Sequence, residues 1–314
     1  MMDVSIVIVN WNVKEYLKKC ISSVYRETKG LTYEIFMVDN ASVDGSVEMV
    51  RELFPEVKVI ANEKNLGFSR ANNQALEKCA GEYVLFLNPD TELKDNSIEK
   101  LLKFIKAGPK VAIAAPKLIY EDGRLQLLCR NFPSPLTDLS EALFLDYLFP
   151  KSEFFNHYFM GFWPHDSTRE VCQPAGACLL VRMDVLKKIG FYDERFFMYY
   201  DDVDLCYRIK KAGWKIFLVH DILVVHHGSK SSVQAPTESV DWGMESKVKY
   251  LRKHYGRAGL VMIGFNLVLR TVLVYGFYNQ LHYITGRPRN IKVVREVVRV
   301  LWKAYIKYYL KRKK

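Results

Sequence analysis

Apolar and polar residues alternate in blocks along the first third of the chain. "VSIVIVN" (4–10) is a short apolar run, and an amphipathic stretch follows at 13–28. "YEIFMVDN" (33–40) repeats the strand pattern, with a helical pattern at 42–53 behind it and Ser42 as its expected cap. "VKVIAN" (57–62) predicts a third strand, 67–79 a helix, "EYVLFLN" (82–88) a fourth strand, 96–106 a helix and "VAIAAP" (111–116) a fifth strand. Strand and helix in regular alternation predict parallel strands joined by right-handed crossovers.

After Pro116 the rhythm breaks. "KLIYEDGRLQLLCR" (117–130) reads as a hairpin turning at Asp122-Gly123. Residues 132–168 are rich in aromatics and prolines without a clear period, the pattern of a mobile stretch with short helices. Regularity returns with "AGACLLVRMDVLKKIGFYD" (175–193), a strand and a short helix stopping at Gly190. Helix 202–213, strand 214–219 and a loop, "HDILVVHHGSKSS" (220–232), follow. Further on, "GLVMIGFNLVLRTVLVYGFY" (259–278) is long enough to span a bilayer, but Asn266 and Arg270 interrupt it. In 290–314 the basic residues Lys292, Arg295, Arg299, Lys303 and Lys307 recur at helical spacing. Val294, Val298, Leu301, Trp302, Tyr305 and Tyr309 form an apolar face. That is the pattern of a helix lying in a membrane interface.

Charge sharpens this picture. The net charge is +11, and 286–314 holds eleven basic residues against Glu296 alone, leaving the remainder near neutral. A basic tail suits an anionic membrane or nucleic acid. Aromatics packed on the apolar face are badly set to stack on bases, so the membrane surface is the expected partner and nucleic acid is not. With 314 residues, 49% hydrophobic, the chain can build one large core or two modest ones. Six cysteines without a CxxC pair read as reduced core thiols of a cytosolic protein, and the opening "MMDVSIVIVNWN" carries no expected secretory signal.

The candidate chemistry lies at the strand ends. No GxGxxG or GxxxxGK[ST] follows the first strand, so any nucleotide must be held by side chains. Asn10 and Asn12 end the first strand, Asp39 and Asn40 the second, and Asn88 and Asp90 the fourth, where Pro89 stops the ladder. "NPD" alone also makes a turn, and Asp39 also suits an Asx turn. Parallel strands would bring all of these to one carboxyl edge, the ligand edge of an open α/β sheet. His226 and His227 follow "ILVV", and Asp201, Asp202 and Asp204 open a helix, where acids also serve as caps.

Taken in order, "SIVIVNWN", "VDNASVDGS", "NLGFSRANNQ", "LFLNPDTEL", "GACLLVRMDVLKKIGFYDERFFMYYDDVDLCYRIKKAGWKI" and "HHGSKSS" resemble the family 2 glycosyltransferases, closest to the rhamnosyltransferase-like branch. The resemblance covers about 4–232 and implies an α/β fold of the GT-A type. A catalytic domain would occupy 1–232, its nucleotide-binding half 1–116 and its acceptor half 117–232, with a helical, membrane-associated region at 233–314. It implies inverting transfer from a dTDP- or UDP-sugar, rhamnose among the candidates, to a glycan or polyprenyl-linked acceptor at the cytoplasmic side of the membrane. Asp39 would bind the pyrimidine, with Asn10, Asn12 and Asn40 beside it and Arg70 and Asn73 near the nucleoside and diphosphate. Asn88 stands where the family usually has the first acid of Asp-x-Asp and would bond ribose. Asp90 would ligate Mg2+ or Mn2+, with His226 or His227 completing the shell. Asp202 would be the general base, Asp201 replacing the family's Glu, and small Gly176 and Ala177 would admit the donor sugar. Two other readings are a catalytically silent nucleotide-sugar-binding assembly protein and a nucleotidyltransferase. The retained acids argue against the first, and the missing glycine-rich phosphate loop against the second.

Overall fold

In the computed structural model, which describes residues 2–228, 230–273, 296, 298–300, 302–303 and 305–307, the apolar blocks become sheet and helix faces. The chain runs β1 (Val4–Asn10), α1 (Lys14–Glu27), β2 (Tyr33–Asp39), α2 (Ser46–Leu53), β3 (Lys58–Ala61), α3 (Phe68–Leu76), β4 (Tyr83–Leu87), β5 (Thr91–Leu93), α4 (Ser97–Ala107) and β6 (Val111–Ile119). It continues with α5 (Pro135–Ala142), α6 (Leu145–Leu148), β7 (Arg169–Glu170), β8 (Cys178–Arg182), α7 (Met183–Ile189), α8 (Asp201–Lys211), β9 (Lys215–His226) and α9 (Pro236–Val272), which breaks at Gly256. Two compact units result. The first joins residues up to 130 with 163–197 and 201–235, and the second joins 131–162 with 198–200 and the described residues from 236 onward. A division at 232 in sequence and this division in space differ for 131–162 and 198–200, which group with α9, and for 233–235.

The first unit is built on one sheet, ordered β3-β2-β1-β4-β8-β6-β9-β5, with β7 on β9. β1 to β4 are parallel, as the alternation predicts. β8 is antiparallel to both β4 and β6, so the sheet is mixed. Central β1 is buried along its whole length, which its unbroken apolar run requires. Ile6, Ile8, Met37 and Leu85 share one core with Leu17 and Ile21 of α1 and Leu101 and Ile105 of α4.

Three local expectations change. α2 starts at Ser46, not Ser42, because Gly45 takes a left-handed φ of 77° and Asp44 Oδ1 accepts the Ser46 N–H. The strand expected to stop at 219 runs on to His226. The polar pair His220-Asp221 masks it, and the ladder slips there, opposite Pro116, which has no N–H to give. The expected hairpin over 117–130 is a tight turn closed by Tyr120 and Arg124, with one further bridge between Ile119 and Leu125.

In the second unit α5 opens with a capping box, Ser134 with Thr137. α5 packs on α9 around Lys247, which is buried and paired with both Asp138 and Glu141. Asn266, an interruption in the apolar 259–278 segment, donates to Asp138 Oδ2 at 2.9 Å. No helix among the described residues is long and apolar enough to cross a membrane. Where it is described, part of the apolar face expected to lie in lipid meets protein. Val298 is buried, Trp302 donates to Thr271 Oγ1 at 2.9 Å, and the Tyr305 hydroxyl would lie 2.6 Å from a Cβ at Gly264. Of the basic stripe, Lys303 lies 3.5 Å from Asp241 and Lys307 2.9 Å from Glu245. Lys292, Val294, Arg295, Leu301, Tyr309 and 274–278 lie outside the described residues.

Candidate active site

The sheet brings the polar strand ends to one edge, in three adjoining groups. At the ends of β1 and β2, Asn10 Nδ2 donates to Asp39 Oδ2 at 2.8 Å and to Ser42 Oγ at 3.1 Å. Asp39 Oδ1 accepts the Ser42 N–H, three residues on, at 2.7 Å. Asn12, left-handed at φ 52°, accepts the Val43 N–H at 2.7 Å. Asn10 Oδ1 is buried and has no partner among the described residues, an acceptor held inside the cradle. Asn40 is turned away to brace the following loop, bonding Asn62 and the Gly67 carbonyl.

The central group forms because β8 runs antiparallel and its amino end meets the carboxyl end of β4. The Asn88 N–H donates to the Ala177 carbonyl at 2.9 Å, while the Asn88 side chain makes no hydrogen bond among the described residues. A Cβ on Gly176 would lie 2.7 Å from Asp202 Oδ2. The missing side chain therefore makes room for Asp202, whereas the sequence alone suggested room for the donor sugar. The Val203 N–H holds Asp202 Oδ1 at 2.8 Å. Burial raises the Asp202 carboxyl above the ordinary carboxylate range, and the Val203 and Gly176 backbone groups oppose that rise. Asp201 is more deeply buried, and desolvation with the neighbouring Asp202 lifts it well above that range. Asp202, partly exposed, is the member of the pair that solvent reaches. Asp204 is fully buried and paired with Arg208 at 2.8 Å, a structural role.

The third group starts at a β-turn. The Asn88 carbonyl accepts from the Thr91 N–H and hydroxyl, which turns Asp90 toward the end of β9. Asp90 Oδ1 lies 3.5 Å from His226 Nε2, and Oδ2 accepts the Lys230 N–H at 3.1 Å. Burial pushes the Asp90 carboxyl up, but His226 and the Lys230 N–H outweigh it, and the net direction is down. Gln126 orients the imidazole. Its Nε2 donates to the His226 carbonyl at 2.6 Å, which turns Oε1 toward His226 Nδ1 at 2.8 Å. Oε1 can only accept, so Nδ1 carries a proton; Nε2 donates to Asp90 when the ring is protonated and offers a lone pair when the ring is neutral. A carboxylate oxygen and an imidazole lone pair side by side suit a divalent cation that takes its other ligands from a diphosphate. Among the described residues no group of three such side chains is arranged to hold an ion alone. His227 is engaged elsewhere, 2.7 Å from Glu92.

Arg70 and Asn73 do not join these groups. Asn73 exchanges hydrogen bonds with the backbone of Tyr192, and Arg70 is mostly exposed, 4.0 Å from Glu194. Ser69 and the Phe68 N–H hold the Phe196 and Phe197 carbonyls, so α3 anchors the segment leading toward α8. Gln126, Ser42 and Lys230 are additions. Of these only Gln126 carried a signal, a polar residue amid "LQLL".

The model of the family described as Glycosyl transferase family 2 matches residues 5–190. The chain belongs to that family. The family 2 enzyme is 29% identical over 242 residues to the N-acetylglucosaminyl-diphospho-decaprenol L-rhamnosyltransferase of Mycobacterium tuberculosis, covering 74% of this chain and 78% of the relative. It is 25% identical over 265 residues to the rhamnosyltransferase WbbL of Escherichia coli, covering 80% and 93%. Among solved structures it resembles the mannosyltransferase PcManGT of Pyrobaculum calidifontis, in complex with GDP-Man and Mn2+, at a TM-score of 0.61 and 14% identity, covering 99% and 88%. GalNAc-T7 with UDP, GalNAc and Mn2+ gives 0.54 and 18%, covering 72% and 44%. The fold is thus a mixed α/β, GT-A-like one, and the enzyme is a glycosyltransferase.

Proposed function

We propose that this enzyme transfers a sugar, with inversion, from a dTDP- or UDP-sugar to a polyprenyl-linked acceptor in cell-surface glycan synthesis, with dTDP-rhamnose as the first candidate donor. The observation that carries the reading is the convergence of Asn10–Asp39, of Asn88 and Asp202 on either side of Gly176–Ala177, and of Asp90–His226 on one sheet edge. The rhamnosyltransferase relatives support the donor, and the decaprenol-linked substrate named for one of them supports the acceptor class. In this account the Asn10–Asp39 cradle receives the pyrimidine, the Asp39 carboxylate accepting from the base. Asn88 bonds the ribose. Asp90 and His226 would hold Mg2+ or Mn2+, which when bound would supply charge neutralisation for the departing diphosphate. Asp202 takes the proton of the acceptor hydroxyl as that oxygen bonds to the anomeric carbon and the carbon–diphosphate bond breaks. A carboxylate with a raised pKa is a stronger base for this step.

The enzyme works, on this reading, at the cytosolic face of a membrane. Val261, Phe265, Val268 and Val272, each more than half exposed, line one face of α9 and support shallow contact with lipid. The test is a screen of dTDP-rhamnose, UDP-glucose, UDP-N-acetylglucosamine and GDP-mannose against polyprenyl-diphosphate-linked N-acetylglucosamine. Transfer from dTDP-rhamnose is expected. Absence of both transfer and donor hydrolysis with every donor would contradict the reading.

A further inference from the structure

The second unit contains a cavity of about 630 Å³ walled by α5, α6 and residues 153–158. That volume falls within the range of small-molecule sites, roughly 300–1,000 Å³. Leu136, Leu139, Leu143, Leu145, Phe154 and Phe155 give it an apolar lining. Its hydroxyls are already engaged. Ser134 and Thr137 bond each other in the capping box, and Ser140 donates to the Phe155 carbonyl at 2.7 Å. A polar ligand would need converging donors and acceptors that these groups do not supply. Glu153, also on the lining, would repel a diphosphate or a carboxylate drawn inside. Glu153 and His157 apart, the lining is apolar or internally bonded, so the ligand that fits is apolar along most of the part that enters. Around the cavity Leu136 and Phe154 are 68% and 76% exposed. Apolar side chains so disposed gain when an apolar ligand covers them.

We propose that this cavity receives the isoprenoid chain of the lipid-linked acceptor, with the diphosphate and sugar remaining outside it. The proposal rests on the reading above that the acceptor is polyprenyl-linked. A single chain fits better than a bilayer surface, because a bilayer covers protruding groups and leaves a recess of this volume empty.

The experiment uses the full chain and a farnesyl diphosphate carrying a fluorescent amine, titrated without nucleotide. Saturable binding is expected, displaced by farnesol and not by inorganic diphosphate. Leu139→Trp and Leu143→Trp, which fill the cavity, should each raise the probe's Kd at least tenfold. Leu136→Glu should do the same at a mostly exposed position where folding is not at risk. Absence of saturable binding, displacement by diphosphate alone, or unchanged Kd in all three variants would overturn the proposal. Donor hydrolysis, measured on the same samples, reads the catalytic unit separately. Absence of both hydrolysis and transfer to the polyprenyl-linked acceptor in the wild type would count against the proposed donor and acceptor, whereas the cavity assignment stands or falls on the probe.

Discussion

Gly176→Ala changes a single hydrogen to a methyl group, and the site geometry lets its effect be worked out. The new Cβ would lie 2.7 Å from Asp202 Oδ2 and 3.2 Å from Asp202 Cβ and Cγ. Comfortable contact between heavy atoms is about 3.5–4.0 Å, so the carboxylate must move by roughly 1 Å. It cannot swing freely, since the Val203 N–H fixes Oδ1 at the start of α8. Overpacking of this kind costs about 1–3 kcal/mol of stability. Misplacing a reacting group by about 1 Å costs about 100-fold in rate. The expected result is a kcat about 100-fold lower, an unchanged donor Kd and a Tm lower by a few degrees. Steady-state transfer assays, donor titration by calorimetry and thermal unfolding read the three quantities. A kcat within twofold of the wild type would refute the reasoning. A weakened donor Kd with kcat preserved would instead return Gly176 to the donor sugar.

Asp201→Asn is expected to raise Tm by a few degrees at pH 8 and by little at pH 4. A carboxyl with a raised folded pKa contributes stability that is complete below its unfolded pKa and lost as pH rises through the folded value, and the amide escapes that loss. An equal or lower Tm for the variant at pH 8 would contradict it. Asp90→Ala should weaken metal-dependent donor binding by about 100-fold while the fold survives; unchanged binding by the variant, with chelator-insensitive wild-type enzyme, would remove the cation from the account. Phe265→Asp with Val268→Asp should lower partition onto anionic vesicles by about 100-fold, since exposing each such side chain costs about 1.5–3 kcal/mol. Equal flotation of variant and wild type would exclude that face of α9.

The first half of the sheet was legible because each strand and helix there is set by its own hydrophobic period. The place of β8 was not. It lies between β4 and β6 through pairings such as Leu85 with Leu180, about a hundred residues apart, which no local pattern records. The same holds for Gln126, whose meaning comes from a histidine a hundred residues later. Asp90 and Asp202 could be named as candidates from their positions, but only the mixed sheet explains why Gly176 must lack a side chain. The C-terminal amphipathic pattern shows two faces, and its apolar one meets protein at the described positions. Val298, Trp302 and Tyr305 meet protein, while an exposed apolar stripe belongs to α9, in the segment that Asn266 and Arg270 interrupt. Periodicity reports that a face is apolar and says nothing of what covers it.

The central claim is that Asp202 is the base of a sugar transfer, and single-turnover kinetics of Asp202→Asn test it most directly. The amide keeps the shape of the side chain and cannot take the acceptor's proton. With donor saturating and its Kd measured in parallel, the account predicts an unchanged Kd and a transfer rate lower by about 10²- to 10⁴-fold. A rate within a few-fold of the wild type, or a larger loss in Asp201→Asn than in Asp202→Asn, would contradict it.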